Sequence, residues 1–433
     1  MKITQIDLWH VSVPLPAAFH PAWIPGYPQT ANRFTLVRLR TASGVEGWSA
    51  GAALARERAG LGSLLGPYLL GERADDIPSI RQRLREMGYL GLRAGWLEPA
   101  CWDIVGKACG KAVHELLGGS PGAVRVYAST GEVRSGRERA REVEARLAEG
   151  FHAVKLRVHD RTLEEDLAQI REVRRAVGER PALAADANQG WRVAVVADAP
   201  RWDRARALAF CREAEALGYA WIEEPLPMDD YDGLAALRAE VGIDLAGGEL
   251  NGQGLPEFGV MLEKGCYDVY QPDATFTGGI AETWQIVKRV AAAGARYTPH
   301  TWTNGIGFAV NLQLHAASPF RDRTWLEYPY DPPAWVPEAR DGILEAPWLH
   351  ERGVLPLPTA PGLGFTVSRR ALRRFGRHFF RATQVRVAVS AVLERGLRAA
   401  KEAGAVRAAR LAEREREVAS RRPGGEPWRE AIG

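Results

Sequence analysis

Seven polar residues between positions 155 and 327 each stand at the C-terminal end of a short apolar run: Lys155, Asp186, Glu223, Glu249, Asp273, His300 and Glu327. Three of them, Asp186, Glu223 and Glu249, are carboxylates on successive runs. Brought to one point they would repel one another and raise each other's pKa unless a cation held them. Oxygen ligands without His or Cys favour a hard divalent ion, and three carboxylates with room left for water and substrate suit Mg2+. Asn188 lies two residues after Asp186 and shares its face, so it reaches toward a substrate or a metal-bound water, or else only turns the chain in "ANQG". His300 ends the seventh run behind Pro299, and Asp273 ends the sixth. Neighbouring strands would set the carboxylate beside the imidazole, orienting it and raising its basicity. In "AVKLRVHD", Lys155 and Arg157 are two apart, so in a strand both cations face one side. Such a set suits abstraction of the proton next to a carboxylate, with Mg2+ and the two cations stabilising the charge that develops. Ser129, Thr130, His152, His159, His315 and the cysteines show no nucleophile–base pairing and read as packing or surface residues.

What elements bring these residues together? Apolar runs around Tyr127, Lys155, Asp186, Glu223, Glu249, Asp273, His300 and Glu327 recur at intervals of about 24–37 residues, each followed by a stretch rich in Ala, Leu, Glu and Arg. Eight strand-plus-helix units at that beat predict an α/β barrel of the TIM type, whose reactive groups gather at the C-terminal ends of the strands. No G-x-G-x-x-G or phosphate loop opens any helix, which disfavours an open doubly wound sheet. The first 120 residues differ. "MKITQIDLWHVSVPL" and "RFTLVRLRTASGVEGWSAG" read as antiparallel strands with a turn at Ala42–Gly44. "IPSIRQRLREMGYL" and "PACWDIVGKACGKAVHELLGG" read as helices, the second stopped by Gly118–Gly119. This predicts an α+β domain over 1–120 and a barrel over 121–330. Residues 331–380 are irregular and proline-rich, form no clear eighth helix, and are expected to return to the first domain. Residues 381–433 are expected to form a helical extension that "RRPGGEPW" stops.

Composition limits the alternatives. The chain has 433 residues, 46% of them hydrophobic, and a net charge of +4. From Arg381 onward twelve Lys/Arg face seven Asp/Glu, so the excess of positive charge sits in the tail. Acidic residues interleave there without aromatic partners, which argues for a solvated helix with i,i+4 pairs among Arg410, Glu413, Arg414 and Glu417, or an oligomer contact, and against a nucleic-acid partner. No stretch of about 18 uncharged apolar residues marks a membrane span. The N-terminus alternates apolar and polar residues and so lacks a signal-peptide profile. Four scattered cysteines fit a reducing, cytoplasmic setting.

The ordered set "ACWDIVGKACGKAVHELLGG", "VKLR", "DANQGW", "WIEEPL", "GGEL", "QPDATFTGGI", "TPHTW" and "WLEY" resembles the enolase superfamily, specifically its mandelate racemase and muconate lactonizing branch. The resemblance runs from the N-terminus to about residue 380. It implies a capping domain over a (β/α)7β barrel, which accounts for the missing eighth helix. It also implies Asp186, Glu223 and Glu249 as Mg2+ ligands, His300 with Asp273 as the base dyad, and Glu327 as an acid that hydrogen-bonds the substrate carboxylate. Homo-oligomers and small carboxylate substrates are implied with it.

Arg157 departs from the pattern. Two-base members carry a second Lys there, whereas Arg, with a pKa above 12, is a poor base and a good bidentate carboxylate ligand. Lys155, its pKa lowered by Arg157 and a metal, is the alternative second base. One-base chemistry points to an acid-sugar dehydratase (aldonate or aldarate): His300 removes the α-proton and returns it to the departing β-hydroxyl. A racemase, epimerase or cycloisomerase would use the same site, and a barrel kept only for binding or assembly through its basic tail is a third reading. In the loop "FHPAWIPGYPQTANRF", Trp23 and Tyr27 are expected to contact substrate, with Trp302 and Tyr328 lining the pocket.

Overall fold

The computed structural model describes residues 1–52, 61–90, 93–194, 196–421 and 426–432. Strands β1 (Ile3–Phe19), β2 (Gln29–Thr41) and β3 (Glu46–Ala52) form an antiparallel meander, with Trp9 opposite Leu36 and Arg38 opposite Trp48. The β2–β3 turn falls where the sequence places it, and Gly44 takes a φ of +86° that side chains resist. Helix Ile77–Tyr89 begins at Asp76, whose carboxylate accepts from the Ser79 N–H. The second expected helix is in fact two. Gly110, with φ at +66°, ends Pro99–Cys109 in a left-handed cap, and the chain resumes as the short turn Val113–Leu116.

The barrel follows. Strands β4 (Ala123–Ser129), β5 (Ala153–Arg157), β6 (Ala182–Asp186), β7 (Trp221–Glu223), β8 (Asp244–Gly247), β9 (Val269–Tyr270), β10 (Arg296–Tyr297) and β11 (Leu326–Pro329) are parallel, and β11 closes onto β4. Helices start where acid or hydroxyl caps stand. Ser135 with Glu138 and Thr162 with Glu165 form capping boxes, and Asp203 and Asp230 accept from the N–H groups of Arg206 and Gly233. Helix Gly305–Ala317 precedes β11, and between β11 and residue 376 the chain forms only the short helices Pro337–Arg340 and Arg369–Phe375. The branched residues Val154, Leu156, Leu183, Ile222 and Leu245 are fully buried in the barrel strands, alternating with Lys155, Arg157 and Asp186.

Register places the chemistry. Arg157 pairs with Asp186, and Asp186 with Glu223, so three charged residues stand level on three adjacent strands. Small neighbours Ala184 and Ala246 leave the interior room beside them.

Two junctions fix the N-terminal domain over the barrel. Glu98 accepts from the backbone N–H groups of Ile280 and Ala281 at 2.7 and 3.0 Å, and from the Trp102 indole at 2.8 Å. Beside it Gly95 approaches Gly278 so closely that a Cβ there would lie 2.4 Å from the Gly278 α-carbon. After β11 the chain runs through β12 (Val354–Pro356), antiparallel to β4, and reaches β13 (Gly376–Thr383), which pairs with β1 and completes the capping sheet in the order β13-β1-β2-β3. That strand extends three residues past position 380.

The helical extension Gln384–Arg421 breaks at Gly396 (φ 79°, ψ 161°), so two helices fold back on each other. Gln384 and Leu411 both come to rest against Gly71. Most of the extension is exposed, but Arg410 and Arg414 turn away from their expected helical partners and pair with Glu72, while Arg407 donates to the carbonyls of Gly66, Pro67 and Leu70. The helix stop read at Pro423–Gly425 lies outside the described residues. Beyond it, Trp428 is buried edge-on to Trp102 at 6.0 Å, and the carbonyls of Ala431 and Ile432 accept from Gln285 and Lys288 on the barrel helix Ile280–Ala292. Among the described residues no helix is long and apolar enough to cross a membrane.

Candidate active site

The strand-end residues converge. Lys155 Nζ stands 2.5 Å from Glu223 Oε1, 2.8 Å from Glu327 Oε1 and 3.5 Å from Asp186 Oδ2. Arg157 donates to Asp186 Oδ2, to Asn188 Oδ1 at 3.2 Å and, through Nε, to the Thr130 carbonyl at 2.6 Å. Its guanidinium also lies 5.2 Å from the Trp23 ring and 5.6 Å from the Trp302 ring, held by cation–π attraction from the capping loop and from the barrel. Asn188 adopts a left-handed φ of +48°, which Asn tolerates, and its N–H returns to Asp186 Oδ1.

His300 Nδ1 is 3.0 Å from Asp273 Oδ2. The other Asp273 oxygen accepts from the Thr275 N–H and hydroxyl and from the Asn311 amide, each at 2.8 Å, so the carboxylate cannot turn. This holds Nδ1 as the donor to Asp273 and turns Nε2 toward Glu249 Oε2 at 3.4 Å. Burial alone would lower the imidazole pKa. The Glu249 charge, the Asp273 hydrogen bond and the Glu327 charge outweigh burial and lift it to about 9.

The cluster is short of positive charge. Six buried carboxylates, Asp186, Glu223, Glu224, Glu249, Asp273 and Glu327, face two fixed cations and one imidazole. Burial pushes Glu223 up, Lys155 pulls it down, and the Asp186 and Glu327 charges leave it at about 7. Glu224 is pushed far above the carboxylate range by burial and by Glu249, Asp186 and Glu223. Neither of its oxygens has a hydrogen-bond partner, and it holds φ at +47°. It lies on Gly190, where any Cβ would meet Glu224 Oε1 at 2.1 Å. Among the described residues no three His, Cys, Asp or Glu side chains stand together as a ligand cluster, since Lys155 and Arg157 occupy the space beside Asp186 and Glu223. The donor chemistry nonetheless fits a hard divalent cation: oxygen ligands in excess, buried, and electrostatically unsatisfied.

Two residues are held in charge states that bear on their expected roles. Burial lowers and Glu223, Glu327 and Asp186 raise the Lys155 pKa, with a net rise, so these neighbours favour its ammonium form. Burial would raise Glu327, but Lys155 first, then His300 and Arg157, bring it to about 2. As placed, Glu327 accepts hydrogen bonds, from Lys155, from Ser129 Oγ at 2.8 Å and from the Thr301 N–H at 2.7 Å, rather than donating one.

A cavity of about 160 Å³ opens on this cluster. Arg157, Asn188, Glu249 and His300 form its polar end, and Trp23, Trp191, Leu250, Phe276 and Trp302 the remainder. Trp23, Trp302 and Asn188 therefore stand where the sequence placed them. Tyr27 is 52% exposed and does not line this cavity, and Tyr328 is buried in the barrel wall with its hydroxyl donating to the Trp348 carbonyl. Sequence reasoning missed Trp191, Leu250 and Phe276, whose one signal was that each follows a strand-end carboxylate by one to five residues. It also set aside Ser129, which ends β4 as the other site residues end their strands, and which accepts from the Trp302 indole while donating to Glu327.

Two family models cover most of the chain: "Mandelate racemase / muconate lactonizing enzyme, N-terminal domain" over residues 7–118 and "Enolase C-terminal domain-like" over 138–371. D-galactarolactone cycloisomerase of Agrobacterium fabrum is 31% identical over 360 residues, 78% of this chain and 90% of that protein. L-talarate/galactarate dehydratase of Salmonella typhimurium is 29% identical over 80% of this chain and 83% of that protein. The crystal structure of L-talarate dehydratase from Polaromonas sp. JS666, complexed with Mg and L-glucarate, superposes with a TM-score of 0.73 at 25% identity, covering 88% of this chain and 99% of that one. Capping sheet, open-ended barrel and matched sequence agree: the chain belongs to the enolase superfamily, in its mandelate racemase and muconate lactonizing enzyme branch.

Proposed function

We propose that the protein removes the proton α to the carboxylate of a sugar acid in the presence of Mg2+, and then eliminates the β-hydroxyl as water. The observation that carries this reading is the asymmetry of the site: one oriented imidazole at the end of β10, and at the end of β5 a guanidinium pinned by Thr130, Asp186, Asn188 and two tryptophans. A proton can leave to His300, but Arg157 offers no base to exchange one from a second direction.

Asp186, Glu223 and Glu249 would hold Mg2+, which when bound stabilises the second negative charge that grows on the substrate carboxylate. Lys155 and Arg157 bind that carboxylate and share the same task. His300 Nε2 takes the α-proton, and the Cα–H pair becomes a double bond between Cα and the carboxylate carbon. Asp273 keeps the tautomer and steadies the imidazolium. That pair then moves to form the Cα–Cβ double bond as the Cβ–O bond breaks, the imidazolium proton goes to the departing oxygen as water, and the enol left behind becomes a 2-oxo acid. The names of the dehydratase and cycloisomerase relatives support sugar acids as the substrate class. The same half-reaction serves an isomerase, which the 31% identical cycloisomerase keeps as the second reading.

Proton NMR in D2O with Mg2+ against pooled aldonates, aldarates and their lactones tests this. Loss of the α-proton signal with new methylene signals at Cβ is the expected result. Deuterium at Cα with the β-substituent retained would replace elimination by racemisation or epimerisation.

A further inference from the structure

The first helix of the C-terminal extension, from Gln384 to the break at Gly396, turns its larger apolar side chains to solvent. Val385, Val389 and Leu393 follow one another at four-residue intervals and so form one stripe along the helix. They are 72%, 53% and 81% exposed, and Leu397, one residue past the break, is 58% exposed. The opposite face is half-buried and poorer. Val387, Ala391 and Val392 turn toward Phe380 and the second helix, across an open cleft of about 840 Å³ whose other wall includes Ala403 and Gly404. A helix of that length, about 12 residues, is marginal alone and takes its stability from burying an apolar face. Here the richer face is the bare one.

The charges beside the stripe indicate what covers it. Arg386 and Glu394 lie on one flank, near its opposite ends. Among the described residues neither has an ion-pair partner: Arg386 donates to the Arg381 carbonyl at 3.4 Å, and Glu394 accepts from the Ser390 hydroxyl at 3.0 Å. About 12 Å apart along the axis, they cannot pair with each other. A second copy laid antiparallel across a twofold axis near Val389 brings the partner's Glu394 to Arg386 and the partner's Arg386 to Glu394. Val385 then meets the partner's Leu393, and the two Val389 side chains meet at the axis. A parallel arrangement would set like charges together. We infer that this stripe is an interface between two copies of the chain, paired antiparallel through Val385, Val389 and Leu393 and held in register by Arg386 with the partner's Glu394. With Leu397 the stripe offers roughly 400 Å² of apolar surface, a patch size that marks interaction sites. Apolar atoms make a little over half of a typical interface, so two copies would bury about 1,400 Å² in all, the size of a specific dimer. One patch serves both copies, so the contact closes on itself. None of these residues lines the cavity at the barrel mouth.

The test is the mass of the full chain by light scattering after size exclusion, at about 10 µM. The unaltered protein is expected to hold an even number of copies. Val389→Glu sets a carboxylate against its own copy at the axis and is expected to halve that mass while the far-ultraviolet circular dichroism stays the same. Leu393→Lys repeats the measurement if Val389→Glu loses helical signal. Arg386→Glu faces the partner's Glu394 at two symmetry-related points and is expected to weaken association about tenfold. Adding Glu394→Arg to it is expected to restore the original affinity. A monomeric unaltered protein overturns the inference, as does a mass that folded Val389→Glu and Leu393→Lys both leave unchanged. A charge-swapped double variant that associates no better than Arg386→Glu alone overturns the antiparallel register.

Discussion

Replacing Arg157 by Lys restores the residue that two-base relatives of this fold would carry, and the geometry predicts that it will not restore their chemistry. The guanidinium makes three polar contacts, to the Thr130 carbonyl, to Asn188 Oδ1 and to Asp186 Oδ2. An ammonium on the same strand can keep the one to Asp186 and must give up the other two. Two charge-assisted hydrogen bonds at about 1.5 kcal/mol each make about 3 kcal/mol. The cation–π contacts of the guanidinium with the Trp23 and Trp302 rings are weakened as well. If that interaction is felt in the transition state, kcat/KM falls about 150-fold. The new ammonium would lie beside Asp186, which favours its charged form, so it would not act as a base. The assay is steady-state kinetics on whichever sugar acid the NMR screen identifies, together with the stereochemistry of deuterium uptake at Cα. A variant within a few-fold of the parent would show that position 157 supplies only charge. One that exchanges the α-proton of both stereoisomers would show that this side of the pocket is ready for a base, and the one-base argument would fail.

Other predictions follow from the same geometry. His300→Asn removes the imidazole that Asp273 orients, so α-proton exchange should drop by about a thousandfold while calorimetry still detects substrate; retained exchange would move the base elsewhere. Asp7 joins β1 to β13. Burial would raise its carboxyl, but hydrogen bonds from Arg38, Arg381, Gln5 and His378 hold it at about 2 instead of 3.8. Its folded pKa is depressed, so the stability it confers, about 2 kcal/mol, is complete above pH 4 and is lost as pH falls toward 2. Asp7→Asn should flatten that part of the urea-stability profile, and an unchanged profile would count against the linkage. Trp428→Ala should cost about 3 kcal/mol through the packing lost against Trp102, seen as a lower urea midpoint. An unaltered midpoint would mean that the chain end does not dock there.

The residues that carry charge into the barrel were readable from sequence because strands have a period of two. A polar group that ends an apolar run can only point at the mouth, and eight such runs in order leave one closed arrangement. The pocket's apolar wall was not readable. Leu250 and Phe276 look like any core residue until the loops after β8 and β9 are folded, and periodicity cannot say which side of a loop faces a ligand. The second glutamate of "IEEP" is silent for a similar reason: only the left-handed backbone at Glu224 and its seat on Gly190 set it apart from Glu223. Tyr328 misled because position alone put it at a strand end, whereas the pleat turns it outward to Trp348. The tail misled in another way. Arginines that bind backbone carbonyls, as Arg407 does, leave no periodic pattern to read.

The capping sheet is assembled from the two far ends of the chain. β1 is paired on one side by β2, which follows it at once, and on the other by β13, about 330 residues later. A ribosome needs roughly 20–70 s to make that stretch. Throughout that interval β1 presents a long unpaired edge, from Gln5 to Val11, to whatever strand it meets. The barrel must emerge and close before the sheet above it can be finished. The burden of avoiding aggregation during synthesis therefore falls on β1, and the cell's chaperones are expected to engage this protein at its N-terminus rather than at its barrel.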